Sequence, residues 1–221
     1  GLTVTPEFET TIPGLYAAGV TVFAGGGISP QAFCNISGYR AGENAARRAS
    51  EVKSQPLVKK QVESLKEKMF MWPEKGSGHT PDSLFITLNK MLVPYGISFF
   101  KNKKRITATL NGLEKLEKED LPGAIAADAH ELVKLNELRN ILTVLKVIYS
   151  SALERKESRF GHYREEYPYR DDINWLKWTV ATSDGKGGVS ISTMPVPFEE
   201  YPVKPEQRSV ILSNTNYVVK E

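Results

Sequence analysis

The sequence predicts a mostly α-helical protein in which a small α/β element comes first, a helical bundle follows, and a short β-hairpin with an extended tail comes last. Apolar residues recur every three or four positions between residues 57 and 156, which is the helical repeat. Strand-like runs bounded by glycine- or proline-rich turns occur only towards the two ends. We place the boundaries at residues 1–52, 53–157 and 158–221. With 221 residues, of which 40% are hydrophobic, the chain can bury a core.

The α/β element opens with a predicted short strand at residues 2–5 and a turn at residues 10–14. The apolar run at residues 15–18 then predicts a buried strand that ends at Gly19. Because alanine and glycine leave the backbone uncovered, a bulky planar ligand can approach it closely there.

A long helix is predicted after the three glycines at residues 25–27. Ser29 is placed as its N-cap and Pro30 as its first residue, and the helix runs to about Ser50. Free backbone N–H groups and the positive end of the helix dipole at such a start stabilise negative charge. An ordinary capped helix is the other interpretation, but the strand and the glycines before it favour a binding site.

Four amphipathic helices form the predicted bundle. Their apolar stripes are interpreted as core rather than as binding faces, because a helix packed in a globular domain turns one apolar face inward. The stripes are Leu57, Val62, Leu65 and Met69; Leu84, Leu88, Met91, Leu92 and Tyr95; Ile106, Leu110, Leu113 and Leu116; and Leu135, Leu138, Leu142, Leu145, Tyr149 and Ala152.

The last part begins with residues 158–172, which are dense in arginine, tyrosine and acidic residues and are predicted to be extended. Strands are predicted at residues 175–182 and 189–194, on either side of a glycine-rich turn. The proline-punctuated tail at residues 195–205 is expected to lie extended on the surface.

Arginines near the start of this last part stand among several acidic side chains. One interpretation is a substrate-binding cluster, since arginine holds a carboxylate with two hydrogen bonds. The preferred interpretation is an interlocking set of ion pairs that anchors the tail. The residues given this structural role are Arg155, Arg159, His162 and Arg164.

Composition and motif content exclude several classes of function. The 29 lysines and arginines nearly balance 26 aspartates and glutamates, so no nucleic acid partner is expected. The single cysteine, Cys34, fits a cytoplasmic protein. No apolar run approaches the ~20 residues of a membrane span, so direct membrane insertion is not expected. His79, His130 and His162 lack the spacing of metal ligands, and no metal site or catalytic residue is assigned.

Two separated motifs carry a resemblance to a known family. The first covers residues 10–19 and is shared by many flavoproteins. The second covers residues 152–168 together with Asp171, Asp172 and Trp175, and resembles the C-terminal helical domain of succinate dehydrogenase and fumarate reductase flavoprotein subunits. L-aspartate oxidase and the adenylylsulfate reductase alpha subunit share that domain. The likeness runs from Gly1 to about Trp178.

The resemblance implies an FAD-dependent oxidoreductase that moves a hydride through flavin N5, with an iron–sulfur subunit as electron-transfer partner and a place in the cytoplasm or at the periphery of a membrane complex. Carried over by position, Gly19 and Val20 would lie near the ribityl chain of FAD. Ser29, Pro30, Gln31 and Ala32 would face the pyrimidine edge of the flavin.

Departures from the family pattern qualify this inference. Val20 stands where the family usually has an acid, and the loop at residues 21–28 lacks the arginine that holds a dicarboxylate, which argues against succinate or fumarate as substrate. The sequence contains neither a glycine-rich nucleotide-binding loop nor a substrate-covering domain. The leading hypothesis is therefore a C-terminal fragment, or the smaller chain of a split flavoenzyme, that is inactive and retains no FAD without the N-terminal remainder. The alternative is a non-catalytic helical module that docks on a flavoprotein or electron-transfer partner.

Overall fold

The computed structural model describes residues 1–22, 30–53, 56–185, 187–202, 209–212 and 217–219. Its contacts divide into two compact units, Gly1–Val62 and Glu63–Glu221. Helices predominate and the sheets are small, which confirms the predicted fold class. The finer division into three parts remains a prediction.

The first unit is built around one long helix, α1 (Pro30–Glu51). A single 3-10 turn, Gly19–Thr21, precedes it. The predicted strands at residues 2–5 and 15–18 are wrong for this chain, because only isolated bridges form there, between Val4 and Thr10 and between Glu9 and Tyr16. Leu15 is also 49% exposed rather than buried. A strand needs a continuous ladder on a neighbouring strand, and the described residues of this unit provide none.

The second unit contains the helical bundle. Three of its helices begin at a side-chain cap: Thr80 accepts from the N–H of Ser83, Asn102 from that of Arg105 and Asp128 from that of Glu131. The helices are α2 (Lys59–Met69, which begins just before the unit boundary), α3 (Pro81–Leu92), α4 (Tyr95–Ser98), α5 (Lys103–Lys115, continued by a π-helical turn, Leu116–Asp120) and α6 (Ala129–Glu154).

Three of the four predicted stripes meet in one apolar core. The leucine and isoleucine side chains at the centre of each stripe are at most 3% exposed. The 3.6-residue periodicity therefore identified the buried faces of α3, α5 and α6 correctly. Tyr95 is the exception, at 63% exposure. The core contains Leu84, Leu88, Ile106, Leu113, Leu116, Leu135, Leu138 and Leu142, with Leu110 and Leu145 partly buried against it.

The first stripe was wrongly interpreted as core. None of the eleven residues of α2 is buried, and Leu57, Leu65 and Met69 are 85%, 59% and 47% exposed. Periodicity reports that a helix has an apolar face but not what covers that face.

Short strands complete the second unit, with a four-residue helix, α7 (Asp172–Trp175), among them. β1 (Phe100–Lys101) pairs in parallel with β2 (Tyr163–Arg164), and the predicted hairpin is formed by β4 (Lys177–Ser183) and β5 (Val189–Pro195). β3 (Tyr169–Asp171) pairs with β6 (Ser209–Leu212), which pairs with β7 (Tyr217–Val219). The tail thus adds strands to the charged segment, a pairing that the sequence did not predict.

Candidate functional site

The first candidate site is the glycine turn that precedes α1. Gly19 has a φ of +66°, a left-handed conformation that favours glycine. Its N–H donates to Oγ of Ser37 (2.9 Å), and that fully buried hydroxyl donates to the carbonyl of Phe33 (2.6 Å). A side chain at position 19 would begin 3.2 Å from Sγ of Cys34. The turn is therefore held closely against the second turn of α1.

Sequence reasoning missed Ser37. A serine inside a helix commonly bonds back to a carbonyl three or four residues earlier, and nothing local shows that its oxygen also accepts from a distant N–H. Only the packing of Gly19 against α1 creates that role.

The residues predicted to face a flavin are exposed where the structure describes them. Val20 is 71% exposed, and Gln31 and Ala32 are exposed in the first turn of α1. Ser29, the predicted N-cap, lies outside the described residues, as does the side chain of Pro30. The first turn of α1 carries no acidic residue. Its backbone N–H groups and positive dipole end therefore fit the negatively charged edge of a planar ligand.

The second candidate site is a buried group of ions around Glu157. This fully buried carboxylate accepts hydrogen bonds from Arg155, from Nε and Nη2 of Arg159 (2.9 and 3.0 Å), and from the N–H of Asp171 (2.9 Å). Four donors use the acceptor positions of a carboxylate, which is what allows the charge to stay buried.

Arg159 joins this carboxylate to a second one. Asp172 is 1% exposed and accepts from Nη2 of Arg159 and from Nε of Arg170 (2.8 Å). Burial lowers the pKa of the Arg159 guanidinium, but its hydrogen bonds to Glu157 and Asp172 outweigh burial and leave the pKa raised. Arg159 therefore bridges two buried anions that would otherwise repel each other.

Arg155 connects the end of α6 to the hairpin. Its guanidinium donates to the carbonyls of Trp175 (3.0 Å) and Lys177 (2.5 Å) and lies over the Trp175 ring, 5.3 Å from its centre. These contacts tie the C-terminus of α6 to the first residue of β4.

Arg164 caps the C-terminus of α6. Its Nη1 donates to the carbonyls of Ala152 (2.6 Å) and Leu153 (3.1 Å), which have no acceptor role inside the helix. A cation at this end also compensates the negative end of the helix dipole. Arg164 is 2% exposed, so the cap is protected from water.

The structure thus brings together all four residues given a structural role, and it adds Glu157 and Asp172 as the anions at their centre. A sequence signal for Glu157 was present. Arg155, Glu157 and Arg159 occupy alternate positions, and every second side chain points to the same side where a backbone is extended, although only residues 158–172 were predicted to be extended. The anchoring role itself remains a prediction.

His162 lies beside the same cations. Burial lowers its pKa to about 4, and the neighbouring charges of Lys101, Arg155 and Arg164 act in the same direction, against a hydrogen bond to the Arg155 carbonyl (3.4 Å). His162 is therefore neutral in the folded protein at neutral pH.

The lowered pKa of His162 predicts how the stability of the protein depends on pH. Between pH 6.5 and about 4, the unfolded chain binds a proton at His162 that the folded chain does not. The contribution of a neutral His162 to the free energy of unfolding is therefore fully present above pH 6.5 and is lost as the pH falls towards 4, by at most ~3 kcal/mol. We expect His162→Gln to flatten the unfolding free energy across this window, measured by urea titration at a series of pH values. The exposed His130, changed to Gln, is the matched control. An unchanged slope in His162→Gln would contradict the assignment.

Within the described residues, no group of His, Cys, Asp or Glu side chains is arranged to hold a metal ion. No described helix is both long and apolar enough to cross a membrane.

Solved structures with this fold identify the class of protein. The quinol fumarate reductase chain FrdA of E. coli superposes with a TM-score of 0.78 at 25% identity, over 89% of this chain and 36% of that one. The adenylylsulfate reductase of Archaeoglobus fulgidus shares the fold with a TM-score of 0.66 at 24% identity, over 74% of this chain and 29% of that one. The fold is that of the C-terminal helical domain of a fumarate reductase-type flavoprotein.

The sequence narrows this class to a family. Residues 90–210 match the family described as fumarate reductase flavoprotein C-term, and the chain belongs to it. It is 30% identical over 209 residues to the fumarate reductase flavoprotein subunit of Haemophilus influenzae, covering 89% of this chain and 35% of that protein. It is 27% identical over 215 residues to the 8-methylmenaquinol:fumarate reductase flavoprotein subunit of Wolinella succinogenes, covering 90% and 34%. The chain thus spans about a third of the length of these relatives.

Proposed function

We propose that this chain supplies the closing element of the FAD-binding domain and the helical domain of an FAD-dependent oxidoreductase, and that it works only together with the remainder of that flavoprotein. Membership of the fumarate reductase flavoprotein family supports the proposal. The single structural observation that carries it is the exposed, acid-free start of α1 next to the left-handed Gly19.

We assign roles in flavin binding to the residues of the glycine turn and of the first turn of α1. Gly19 and Val20 would lie along the ribityl chain, where a buried Ser37 hydroxyl fixes the turn through the N–H of Gly19 (2.9 Å). The N–H groups around Gln31 and Ala32 would stabilise negative charge at the pyrimidine edge. Bound FAD would supply hydride transfer at N5.

The partners and the substrate follow from the same proposal. The N-terminal remainder would contribute the nucleotide-binding loop, and an iron–sulfur subunit would receive the electrons at the cytoplasmic side of a membrane complex. Because residues 21–28 contain no arginine, we propose a substrate other than succinate or fumarate.

The chain purified alone is expected to carry no FAD, because the adenosine diphosphate half of the cofactor requires a glycine-rich turn at a helix start that is absent from this sequence. The measurement is the visible flavin absorbance of the purified protein. Stoichiometric flavin in the isolated chain would contradict the prediction.

A substitution tests the position of the flavin. Ala32→Asp places a carboxylate in the first turn of α1, where an acid stabilises a helix by ~0.3–1 kcal/mol, so the isolated chain should keep its melting temperature. In the complete flavoprotein, the same carboxylate should oppose the charge of reduced flavin and lower either the flavin content or the reduction potential. Ala46→Asp, at an exposed position in the last third of α1 and far from its first turn, is the control. Equal behaviour of the two variants would place the flavin elsewhere.

The docking module is the second candidate function. The uncovered apolar face of α2 favours it, since a binding module requires such a face. The two functions differ in one observable: if the chain only docks on a flavoprotein, Ala32→Asp at the start of α1 leaves the flavin content and the reduction potential of the complex unchanged.

A further inference from the structure

One serine of α1 links the two elements assigned to flavin binding. The hydroxyl of Ser37 accepts from the N–H of Gly19 (2.9 Å) and donates to the carbonyl of Phe33 (2.6 Å), with a longer contact to that of Cys34 (3.3 Å). Ser37 has no exposed surface. A hydroxyl has a single hydrogen to donate, so the bond to Phe33 leaves its lone pairs for Gly19. Ser37 therefore holds the glycine turn against the start of α1 in one arrangement.

Both polar groups of the Gly19 backbone are engaged within the protein. Its N–H is bound to Ser37, and its carbonyl accepts from the N–H of Val22 (3.1 Å). The uncovered Cα of a glycine can still lie close to a planar ligand. The turn would therefore contribute shape rather than its N–H to flavin binding, and that shape depends on where Ser37 holds it.

Two further polar contacts join α1 to the chain before it, at a greater distance from the start of the helix. Nδ2 of Asn44 donates to the carbonyl of Glu7 (3.2 Å), and Arg48 pairs with Glu9 (3.4 Å). Spacings of seven and four residues place Asn44 and Arg48 on the same face of α1 as Ser37. At 1.5 Å per residue, Asn44 lies about 10 Å further along the helix. Of the three contacts, that of Ser37 lies nearest the proposed flavin site.

We propose that Ser37 is a positioning residue that sets the reduction potential of the bound flavin, an inference that rests on the proposed function. In that function the glycine turn lies along the ribityl chain, and the N–H groups in the first turn of α1 stabilise negative charge at the pyrimidine edge. Such stabilisation weakens as the separation grows. Because Ser37 fixes the turn against α1, it keeps the flavin ring close to these N–H groups, and its loss lowers the potential.

The test is Ser37→Ala in the complete flavoprotein. Alanine favours the helix, so the variant should fold, but the N–H of Gly19 loses its acceptor. We expect this N–H to exchange with solvent deuterium about tenfold faster, as for the loss of one buried hydrogen bond. The midpoint potential of the flavin should fall by about 15–30 mV, a three- to tenfold loss of preference for the two-electron reduced form.

Two variants of α1 separate positioning from general loosening. Asn44→Ala removes the contact to Glu7, which also joins α1 to the chain before it. Ser50→Ala removes an exposed serine whose hydroxyl bonds back to the carbonyl of Arg47 within the helix (2.7 Å). Both should leave the exchange of Gly19 and the midpoint potential as in the parent protein. Circular dichroism checks that every variant is folded.

Three results would overturn the proposal: an unchanged potential in Ser37→Ala, an unchanged exchange rate at Gly19, or an equal shift of potential in Asn44→Ala. Ala32→Asp distinguishes this failure from failure of the proposed function. A flavin that responds to Ala32→Asp but not to Ser37→Ala lies at α1 without the help of Ser37. A flavin that responds to neither variant lies elsewhere, and the proposed function then fails together with this inference.

Discussion

Arg159→Ala is expected to destabilise the second unit by about 3–5 kcal/mol, the usual loss when one partner of a buried ion pair is removed. Glu157 and Asp172 have no exposed side-chain surface, and Arg159 donates to both of them. Without it, two buried carboxylates keep their charges and lose a shared cation.

The measurement is urea unfolding followed by tryptophan fluorescence. All three tryptophans, Trp72, Trp175 and Trp178, belong to the second unit, so the signal reports on that unit. Limited proteolysis should also cut Arg159→Ala faster after residue 157. Lys118→Ala, which breaks the exposed pair with Glu114, is the control and should leave unfolding unchanged.

The same variant separates an anchoring role from a catalytic one. In the complete flavoprotein, Arg159→Ala should lower stability before it lowers turnover, and Arg159→Lys should recover part of the loss because the charge returns without the two-pronged geometry. If Arg159→Ala folded normally but no longer allowed substrate to reduce the flavin, the anchoring role would be wrong and a catalytic role correct.

Leu142→Ala is expected to cost about 2–5 kcal/mol, the range for removing a large side chain from a packed core. Leu142 is fully buried at the centre of α6, between the equally buried Leu138 and the partly buried Leu145. The lost methyl groups leave a cavity that rigid neighbours on α3 and α5 cannot fill.

Val144→Ala is the matched control for this second variant. It lies two residues away on the same helix and is 56% exposed, so its change should stay within about 0.5 kcal/mol. The same fluorescence titration measures both. A loss below about 0.5 kcal/mol for Leu142→Ala would show that this part of α6 is not tightly packed.

The sequence by itself determined the helices and most of the core. Helix formation depends on residues three and four positions apart and on caps such as Thr80 and Asp128, so the information is local. The family was also accessible from local motifs, at residues 10–19 and 152–168. The charged segment could be recognised as a network from its composition alone.

The tertiary structure alone decided which groups meet. The pairing of Arg159 with Asp172, the cap that Arg164 places on α6 and the joining of β3 to β6 all connect residues that local spacing does not relate. Whether an apolar stripe is covered is likewise a long-range matter, which is why α2 was misjudged while α6 was not. Bringing distant segments of the chain together costs conformational entropy, and only the combined packing of many elements offsets that cost. A short stretch of sequence therefore does not determine which distant groups meet.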